Sequence, residues 1–227
     1  MKGATLRVLN EIRRKREGVI HATWLDNGES WLIGRDDAPD AALARDIRQA
    51  FRLDQSRTLE VKGRPLFLHV FNPPVRLVIV GAVHVAQSLA VLARTTGIDP
   101  VIVDPRRAWA DARRFPDVRM IEAWPDDALA QLKPDHRTAV AALTHDPRID
   151  DPALIAALRS PAFYVGALGS RRSHARRLER LADEGLDGLA MARIHGPVGL
   201  DIGARSAEEI ALSIMAEVVA ARNGKVQ

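Results

Sequence analysis

Cysteine is absent from this sequence of 227 residues. Its absence excludes disulfide bridges, thiolate zinc sites, iron–sulfur clusters, a catalytic thiol and a persulfide carrier. Aromatic residues are scarce, at 4%, and there is a single tyrosine. A chain of this length buries roughly 70–75% of its unfolded surface, so it can fold without a disulfide or a metal.

Long apolar runs are missing too, and no stretch approaches the roughly 18 consecutive apolar residues of a membrane span. The first residues lack the apolar run of a secretory signal, and Lys2 stands where N-myristoylation needs a glycine. We therefore expect a cytoplasmic protein. Neither sign of charge dominates, since 33 basic residues stand among 29 acidic ones. That mixture argues against a nucleic-acid partner.

Two prolines, Pro73 and Pro74, divide the sequence into parts of different pattern. Before them, two hairpins are predicted around Asn27-Gly28 and Lys62-Gly63. Helices are predicted over residues 4–16 and 40–51. The pattern predicts a small α+β domain over residues 1–72 and a second domain over residues 73–227.

From Arg76 onward, short apolar strands alternate with helices. Strands are predicted over residues 77–80, 100–103, 118–121, 138–143 and 163–165. Helices are predicted over residues 83–95, through Leu154 to Leu158, and over residues 171–183 and 207–222. Continuously apolar strands alternating with helices indicate an α/β fold, a doubly wound parallel sheet covered on both faces.

In such a sheet, ligands bind beyond the carboxyl ends of the strands. After the first strand, residues 81–86 resemble the dinucleotide fingerprint G-x-G-x-x-G/A, with Gly81 in the tight turn and Val83 in place of the middle glycine. The second strand ends in Asp104, where an acid would hold a ribose hydroxyl. Arg106 and Arg107 would instead meet a phosphate, and a plain helix cap is the structural alternative for Asp104.

The fourth strand ends in Thr144, His145 and Asp146, directly before Pro147. These groups suit proton transfer or metal binding, and a polar turn is the structural alternative. A metal site formed by His84, His145 and His195 is a further alternative, although the three histidines lack a diagnostic spacing.

The fifth strand leads into a glycine-containing loop and a basic helix. Gly166 and Gly169 free backbone amides there, and the helix begins near Ser170 with its positive end toward the site. Arg171 and Arg172 in its first turn oppose the helix dipole, which indicates an anionic ligand. Further along this helix, a solvated face is predicted for Arg176, Arg177 and Arg180.

Residues 194–204 contain too many glycines for an ordinary strand or helix and precede a helix with the capping box Ser206-x-x-Glu209. We interpret them as a ligand loop whose backbone presents amides to an anion. Its candidate binding residues are His195, Gly196, Gly199, Asp201 and Gly203.

These segments resemble the XdhC/CoxI family. The resemblance rests on residues 80–86, on Thr144-His145-Asp146 followed by residues 150–154, on residues 164–172 with His174 and Arg177, and on residues 194–204 and 206–211. It covers roughly residues 73–222. Residues 1–72 resemble a shortened form of the family's first domain that lacks its cysteine-bearing segment, so binding through that segment does not transfer.

The resemblance implies a Rossmann-like domain and an accessory protein that has no turnover of its own. Such a protein binds molybdenum cofactor (molybdopterin, carrying one phosphate, or a dinucleotide form with two). It assists sulfuration of the cofactor and its insertion into an apo molybdenum hydroxylase such as xanthine dehydrogenase, with a cysteine desulfurase as partner. The resemblance also implies a homodimer, for which the apolar face of the last helix, Ile210, Ile214 and Val218, is a candidate surface.

Two other classes of function stay open from the sequence. One is an NAD(P)-dependent oxidoreductase, indicated by the incomplete glycine motif with Asp104. Against it, the single tyrosine, Tyr164, lies inside a strand and no lysine stands near the ligand edge. The other is a docking protein whose Rossmann-like domain has lost its ligand.

Overall fold

The structure is a computed structural model that describes residues 3–35, 37, 41–106 and 112–225. The chain divides into two compact units, residues 1–73 and residues 74–227. Among the helices of the described ranges, none combines the length and the apolar character that a bilayer crossing requires.

The first unit is a four-stranded antiparallel sheet with two helices. Its elements are α1 (Gly3–Arg14), β1 (Val19–Trp24), β2 (Ser30–Gly34), α2 (Ala41–Leu53), β3 (Arg57–Val61) and β4 (Arg64–Phe71). The strand order is β2-β1-β4-β3. Lys62 and Gly63 both adopt positive φ, as a two-residue hairpin turn requires. The predicted α+β character is confirmed, and Asp40, the first residue of the predicted second helix, lies outside the described residues.

The second unit contains a six-stranded parallel sheet. Its elements are β5 (Arg76–Val80), α3 (His84–Thr95), β6 (Asp99–Val103), β7 (Arg119–Ile121), α4 (Pro125–Leu132), β8 (Thr138–Ala142), α5 (Pro147–Leu158), β9 (Tyr164–Ala167), α6 (Arg171–Asp183), α7 (Gly188–Met191), β10 (Ile194–His195) and α8 (Ala207–Arg222). The strand order is β10-β9-β8-β5-β6-β7, so the chain winds outward from β5 in one direction and then resumes at β8 on its other side. This is the order of the doubly wound Rossmann fold.

Two apolar layers cover the sheet. Helices α3 and α8 pack on one face, and α4, α5 and α6 contribute to the core on the other. The central strands β5 and β8 are buried along their whole length, which explains why every residue after Arg76 in β5 and after Thr138 in β8 is apolar. The predicted doubly wound parallel sheet is therefore confirmed.

The structure contains short elements that the sequence did not predict as such. Ile194 and His195 form β10 and pair in parallel with β9, although we predicted an irregular loop from residue 194. Helices α4 and α7, of 8 and 4 residues, were not predicted. Elements this short carry too little periodic pattern to stand out from their flanking turns.

The apolar face of α8 is buried within its own unit. Ile214 and Val218 are fully enclosed, and Ile210 packs against the same core, where α8 meets α3. The sequence allowed this face to pack either within its own domain or against a second copy of the chain, and the structure shows packing within the domain.

Candidate functional site

The loops that follow β5, β6, β8, β9 and β10 lie at the carboxyl edge of the parallel sheet. The winding direction changes between β5 and β8, and there Gly81 lies directly against Thr144. A Cβ atom on Gly81 would lie 2.5 Å from Thr144 Cγ2, and Gly81 has a φ of +107°. Glycine is therefore required where these two loops meet.

Asp104 lies beneath the Gly81 loop with its carboxylate fully engaged. It accepts hydrogen bonds from the backbone amides of Ala82 (2.8 Å) and Arg106 (2.9 Å), and from the Arg106 guanidinium (2.8 and 2.9 Å). Burial by itself would raise the pKa of this carboxyl, but the bonds from Arg106 and Ala82 outweigh it and lower that pKa. The amide of Ala82 therefore donates to Asp104 and is not available to a ligand. Arg107, the other predicted phosphate partner, lies outside the described residues.

Replacing Asp104 with asparagine should lower the free energy of unfolding by about 1–3 kcal/mol at neutral pH, because Arg106 loses a charged acceptor. The folded-state pKa of Asp104 lies below the unfolded value of 3.8, so its ionised form stabilises the fold above that value. This contribution is lost as the pH falls through the folded-state pKa. Urea unfolding at neutral and at acid pH should give a smaller difference between the two chains in acid. A difference independent of pH would contradict this.

The loop after β8 is held by a buried carboxylate that the sequence analysis did not single out. Asp150 accepts hydrogen bonds from the Thr144 amide (3.1 Å), the Thr144 hydroxyl (2.7 Å) and the His145 amide (3.0 Å). His145 has a φ of +63°, which is uncommon for a residue with a side chain, and its imidazole is exposed. Asp150 thus stabilises a conformation that presents His145 at the change in winding direction.

Asp146 caps α5. Its carboxylate accepts a hydrogen bond from the Arg148 amide (3.0 Å) and pairs with the Arg148 guanidinium (2.8 Å). These hydrogen bonds lower the pKa of the Asp146 carboxyl. The structural alternative considered for this residue, a polar residue at a turn before Pro147, is the arrangement observed.

Arg177 is buried, so its predicted place on a solvated face was wrong. Its Nη2 donates to the Leu168 carbonyl (2.8 Å) and lies 3.9 Å from Asp150 Oδ2, while Nε and Nη1 have no partner within the described residues. Burial lowers the pKa of Arg177 and raises that of Asp150. The helical spacing could have predicted this burial, because Arg177 lies one turn before the fully buried Leu181 and so on the same face of α6.

Ser170 caps α6 as part of a reciprocal pair with Ser173. The Ser170 hydroxyl accepts from the Ser173 amide (3.2 Å), and the Ser173 hydroxyl accepts from the Ser170 amide (2.7 Å). The first two helical residues, Arg171 and Arg172, are both exposed. Gly169 lies so close to Ser173 that it has no room for a Cβ atom. Arginine is thus the available side-chain partner for an anion in the first turn.

A second buried carboxylate, Glu217 of α8, holds the loop after β10. It accepts hydrogen bonds from the Gly199 amide (2.8 Å) and the Tyr164 hydroxyl (2.5 Å), and its Oε1 lies 3.3 Å from His195 Nδ1. Burial by itself would raise the pKa of Glu217, but these contacts outweigh it and lower that pKa. Burial next to Glu217 raises the pKa of Tyr164 well above its ordinary value.

Two of the glycines near this network are required by close packing. A Cβ atom on Gly166 would lie 2.5 Å from Val198 Cγ2 and 2.7 Å from the Tyr164 hydroxyl. Gly196 packs directly on the imidazole of His174. The backbone after β9 and β10 therefore approaches its neighbours too closely for any larger residue.

The loops after β9 and β10 enclose one pocket of about 400 Å³. Its lining combines backbone of glycine residues with one guanidinium and one carboxylate side chain. The lining residues are Leu168, Gly169, Arg171, Pro197, Val198, Gly199, Leu200, Asp201, Ile202, Gly203, Ala204, Ile210 and Ser213. Five of the predicted site residues thus line this pocket: Gly169, Arg171, Gly199, Asp201 and Gly203.

Three amides within residues 194–204 donate inside the protein and are not presented to an anion: Val198 to the Ala167 carbonyl (3.1 Å), Gly199 to Glu217 (2.8 Å) and Leu200 to the Ser213 carbonyl (3.2 Å). The two amides directly after this loop are engaged as well. Glu209 accepts from the amides of Arg205 (2.7 Å) and Ser206 (3.1 Å). Glu208 adds a second acid in the first turn of α8, and His84 at the start of α3 lies within electrostatic range of it. The dipole of α8 is already complemented by acids.

The three-histidine metal site has no counterpart in the structure. His84 begins α3, His145 follows β8 and His195 ends β10. Across residues 3–35, 37, 41–106 and 112–225, no group of three or more histidine or acidic side chains has the placement of metal ligands.

Similarity to known proteins covers most of the second unit. Residues 77–218 match the family model of the XdhC Rossmann domain. The chain is 39% identical over 152 residues to the molybdenum cofactor insertion chaperone PaoD of Escherichia coli (strain K12), over 67% of this chain and 42% of that protein. It is 32% identical over 159 residues to a probable xanthine dehydrogenase subunit of Bacillus subtilis (strain 168), over 69% of this chain and 46% of that protein.

A crystal structure of a xanthine dehydrogenase from Bacillus halodurans has a similar fold, with a TM-score of 0.68, over 99% of this chain and 65% of that chain. At 23% identity, this similarity shows the fold alone. The chain spans less than half the length of the two curated relatives.

Proposed function

The chain belongs to the XdhC family, and from that premise we propose that it is an accessory protein that binds molybdenum cofactor in the cytoplasm and helps to insert it into an apo molybdenum hydroxylase. The names of the two curated relatives, a molybdenum cofactor insertion chaperone and a xanthine dehydrogenase subunit, support this role.

One observation carries the proposal: the glycine-containing loops after β9 and β10 line the same pocket, and Arg171 of α6 stands in its wall. Molybdopterin is a pterin with a terminal phosphate, and it therefore needs close backbone approach together with a cationic partner. Gly203 lines the pocket with open space where a Cβ atom would lie, which allows close backbone approach, and Arg171 is the cationic partner. The residues present fit the group.

In this role the residues of the chain divide into two sets. Arg171 in the pocket wall and the exposed Arg172 beside it bind the phosphate, while the exposed His145 offers a hydrogen bond to the pterin from the neighbouring loop. Asp104, Asp150 and Glu217 hold the loops after β6, β8 and β10 through backbone amides. The cofactor itself supplies the molybdenum chemistry when it is bound.

The competing proposal is a nicotinamide-dependent oxidoreductase, which the strand order favours. Three features count against it. The Ala82 amide and the Asp104 carboxylate, which would bind a dinucleotide, bind each other. Val83 stands where the fingerprint has its middle glycine, and Tyr164 is buried.

The test is cofactor content. Protein purified from cells that make molybdenum cofactor should carry phosphorus and pterin absorbance in roughly one-to-one ratio with the chain. Added NADH should neither displace the pterin nor be oxidised. Steady NADH oxidation with a small carbonyl substrate would favour the oxidoreductase, and an empty, inactive protein would favour a docking role.

The proposed partners are a cysteine desulfurase and a second copy of the chain. Because the chain contains no cysteine, it cannot carry a persulfide, so sulfuration of the bound cofactor needs a separate sulfur donor. We expect the cofactor-loaded form to capture a desulfurase and light scattering to give a dimer. Transfer of labelled sulfur by this chain alone would contradict the need for a separate desulfurase. A mass near 24.9 kDa at micromolar concentration would contradict the dimer.

A further inference from the structure

A groove of about 620 Å³ runs along the outer side of α5, where α5 lies between α4 and α6. Its lining extends from Pro147, the first residue of α5, to Arg159, which follows the last. The groove shares no lining residue with the pocket between the loops after β9 and β10. It is therefore a concave surface separate from the proposed cofactor site.

The floor of this groove is apolar where the outer face of a solvated helix carries charge. Pro152, Ile155 and Ala156 form the middle of the floor, and all three are half-buried. Ile155 and Ala156 also pack against the core beneath α5. Because the side chains of Pro152 and Ala156 are short, the floor leaves room for apolar side chains that come from outside.

The walls of the groove carry carboxylates that have no cation of their own. Asp126 lies on α4, and Asp183 and Glu184 lie at the end of α6 on the other side of α5. Across the described ranges of the chain, the side chains of these three residues make no hydrogen bond and no ion pair. Each is available to a cation of a partner.

Most of the arginines that line the groove already have a partner. Arg148 pairs with Asp146 at 2.8 Å, and Arg180 pairs with Asp151 at 2.6 Å. Within the described residues, the exposed Arg159 at the end of α5 has no such carboxylate. Three free carboxylates therefore stand against one free guanidinium, and the groove is complementary to a cationic partner.

The elements around the groove determine the form of that partner. All three are helices, whose backbone groups bond within each helix, so the groove has no strand edge for an extended peptide. A helix satisfies its own backbone and binds through side chains alone. Because α5 has 12 residues and is about 18 Å long, the groove can hold roughly three turns of a second helix.

We propose that this groove binds an amphipathic helix of a partner protein. The apolar stripe of that helix contacts Ile155 and Ala156 on the floor. Its lysine or arginine side chains pair with Asp126 on one wall and with Asp183 and Glu184 on the other. Binding of this helix does not involve the cofactor pocket, so the result of its test is independent of the proposed function.

The probe is a synthetic helical peptide of about 14 residues, with leucine along one stripe and lysine on both flanks of that stripe. Its control is the same peptide with glutamate in place of every lysine. Fluorescence anisotropy with the full chain should show binding of the lysine peptide that weakens as the salt concentration rises, and no binding of the glutamate peptide. Methyl NMR of the isoleucine-labelled chain, with I155V used for assignment, should show that the Ile155 signal moves on binding.

The acidic wall is tested by D183N/E184Q, which should weaken binding of the lysine peptide by about fivefold, since exposed ion pairs each contribute little. The matched control is E29Q/E60Q, which removes the same charge from exposed positions of the first unit and should leave the affinity unchanged.

The floor is tested by A156R, which fills the groove and adds a cation there, and it should weaken binding by at least about tenfold. The matched control is V91R, which adds the same charge at an exposed position of α3 and should have no such effect.

Three results would overturn the proposal. One is that the lysine peptide does not bind the wild-type chain at millimolar concentration, or that the glutamate peptide binds equally well. Another is an Ile155 signal that stays in place when the lysine peptide is bound. The third is an equal affinity in D183N/E184Q and E29Q/E60Q, a comparison that uses exposed residues and so remains valid even if A156R fails to fold.

Discussion

Replacing Arg171 and Arg172 with alanine should weaken binding of molybdopterin by at least about tenfold. Both guanidinium groups are exposed in the first turn of α6, and Arg171 lines the pocket between the loops after β9 and β10. A charge-assisted hydrogen bond contributes on the order of 1.5–3 kcal/mol, and about 1.4 kcal/mol corresponds to tenfold in affinity. Titration of the apo protein with molybdopterin, followed by pterin fluorescence, measures the change.

The same variant should keep its fold, because the Ser170–Ser173 cap does not involve either arginine. Without ligand it should gain about 0.3–1 kcal/mol of stability, since cations at a helix N-terminus oppose the dipole. The matched control is the double replacement of the exposed Arg159 and Arg176, which removes the same charge from α6 and the end of α5. Equal losses of affinity in both variants, both vanishing at high salt, would indicate a diffuse basic surface instead of a specific site.

The largest expected effect on stability is that of Asp150→Ala, about 3–5 kcal/mol. The change leaves the Arg177 guanidinium buried without its carboxylate, and it removes the acceptor of the Thr144 hydroxyl and of the Thr144 and His145 amides. Urea unfolding followed by circular dichroism measures the difference. Because His145 loses the contact that stabilises its left-handed backbone, binding of molybdopterin should weaken as well.

The adjacent residue provides the control. Asp151 lies on the same helix and pairs with Arg180 at 2.6 Å, but the Arg180 side chain is 40% exposed. Because the Arg180 guanidinium keeps its contact with solvent, Asp151→Ala leaves no charge buried without a partner, and it should cost clearly less than Asp150→Ala. If Asp151→Ala cost as much as Asp150→Ala, the special role of the buried carboxylate would be refuted.

The fold could be predicted because its causes are local in the sequence. Residues 77–80 and 139–142 are continuously apolar since both faces of the sheet are covered, and Ser206 with Glu209 marks the start of α8. The candidate ligand loops followed from the same pattern, because their positions are set by where the strands end. Strand β10 was missed since two residues carry no detectable alternation.

Asp104 was found from its position at the end of a strand, but Glu217 and the Asp150–Arg177 pair could not be predicted, because each is a charged group on a helix whose burial depends on distant partners. Glu217 is enclosed by Tyr164 and Gly199, which precede it by 53 and 18 residues. Arg177 depends on Asp150, which lies far before it on another helix. A charged side chain on a helix is ordinarily solvated, so the sequence alone favours the wrong interpretation at these positions.

The three buried carboxylates have a consequence for the energetics of association. Asp104, Asp150 and Glu217 hold their loops through backbone amides that belong to the protein in its ligand-free form. The conformational entropy of these loops is thus given up when the chain folds, and little of it remains to be lost on complex formation. An incoming molecule meets a rigid rim, so its association should be fast and accompanied by little change in heat capacity beyond that of the apolar surface it covers.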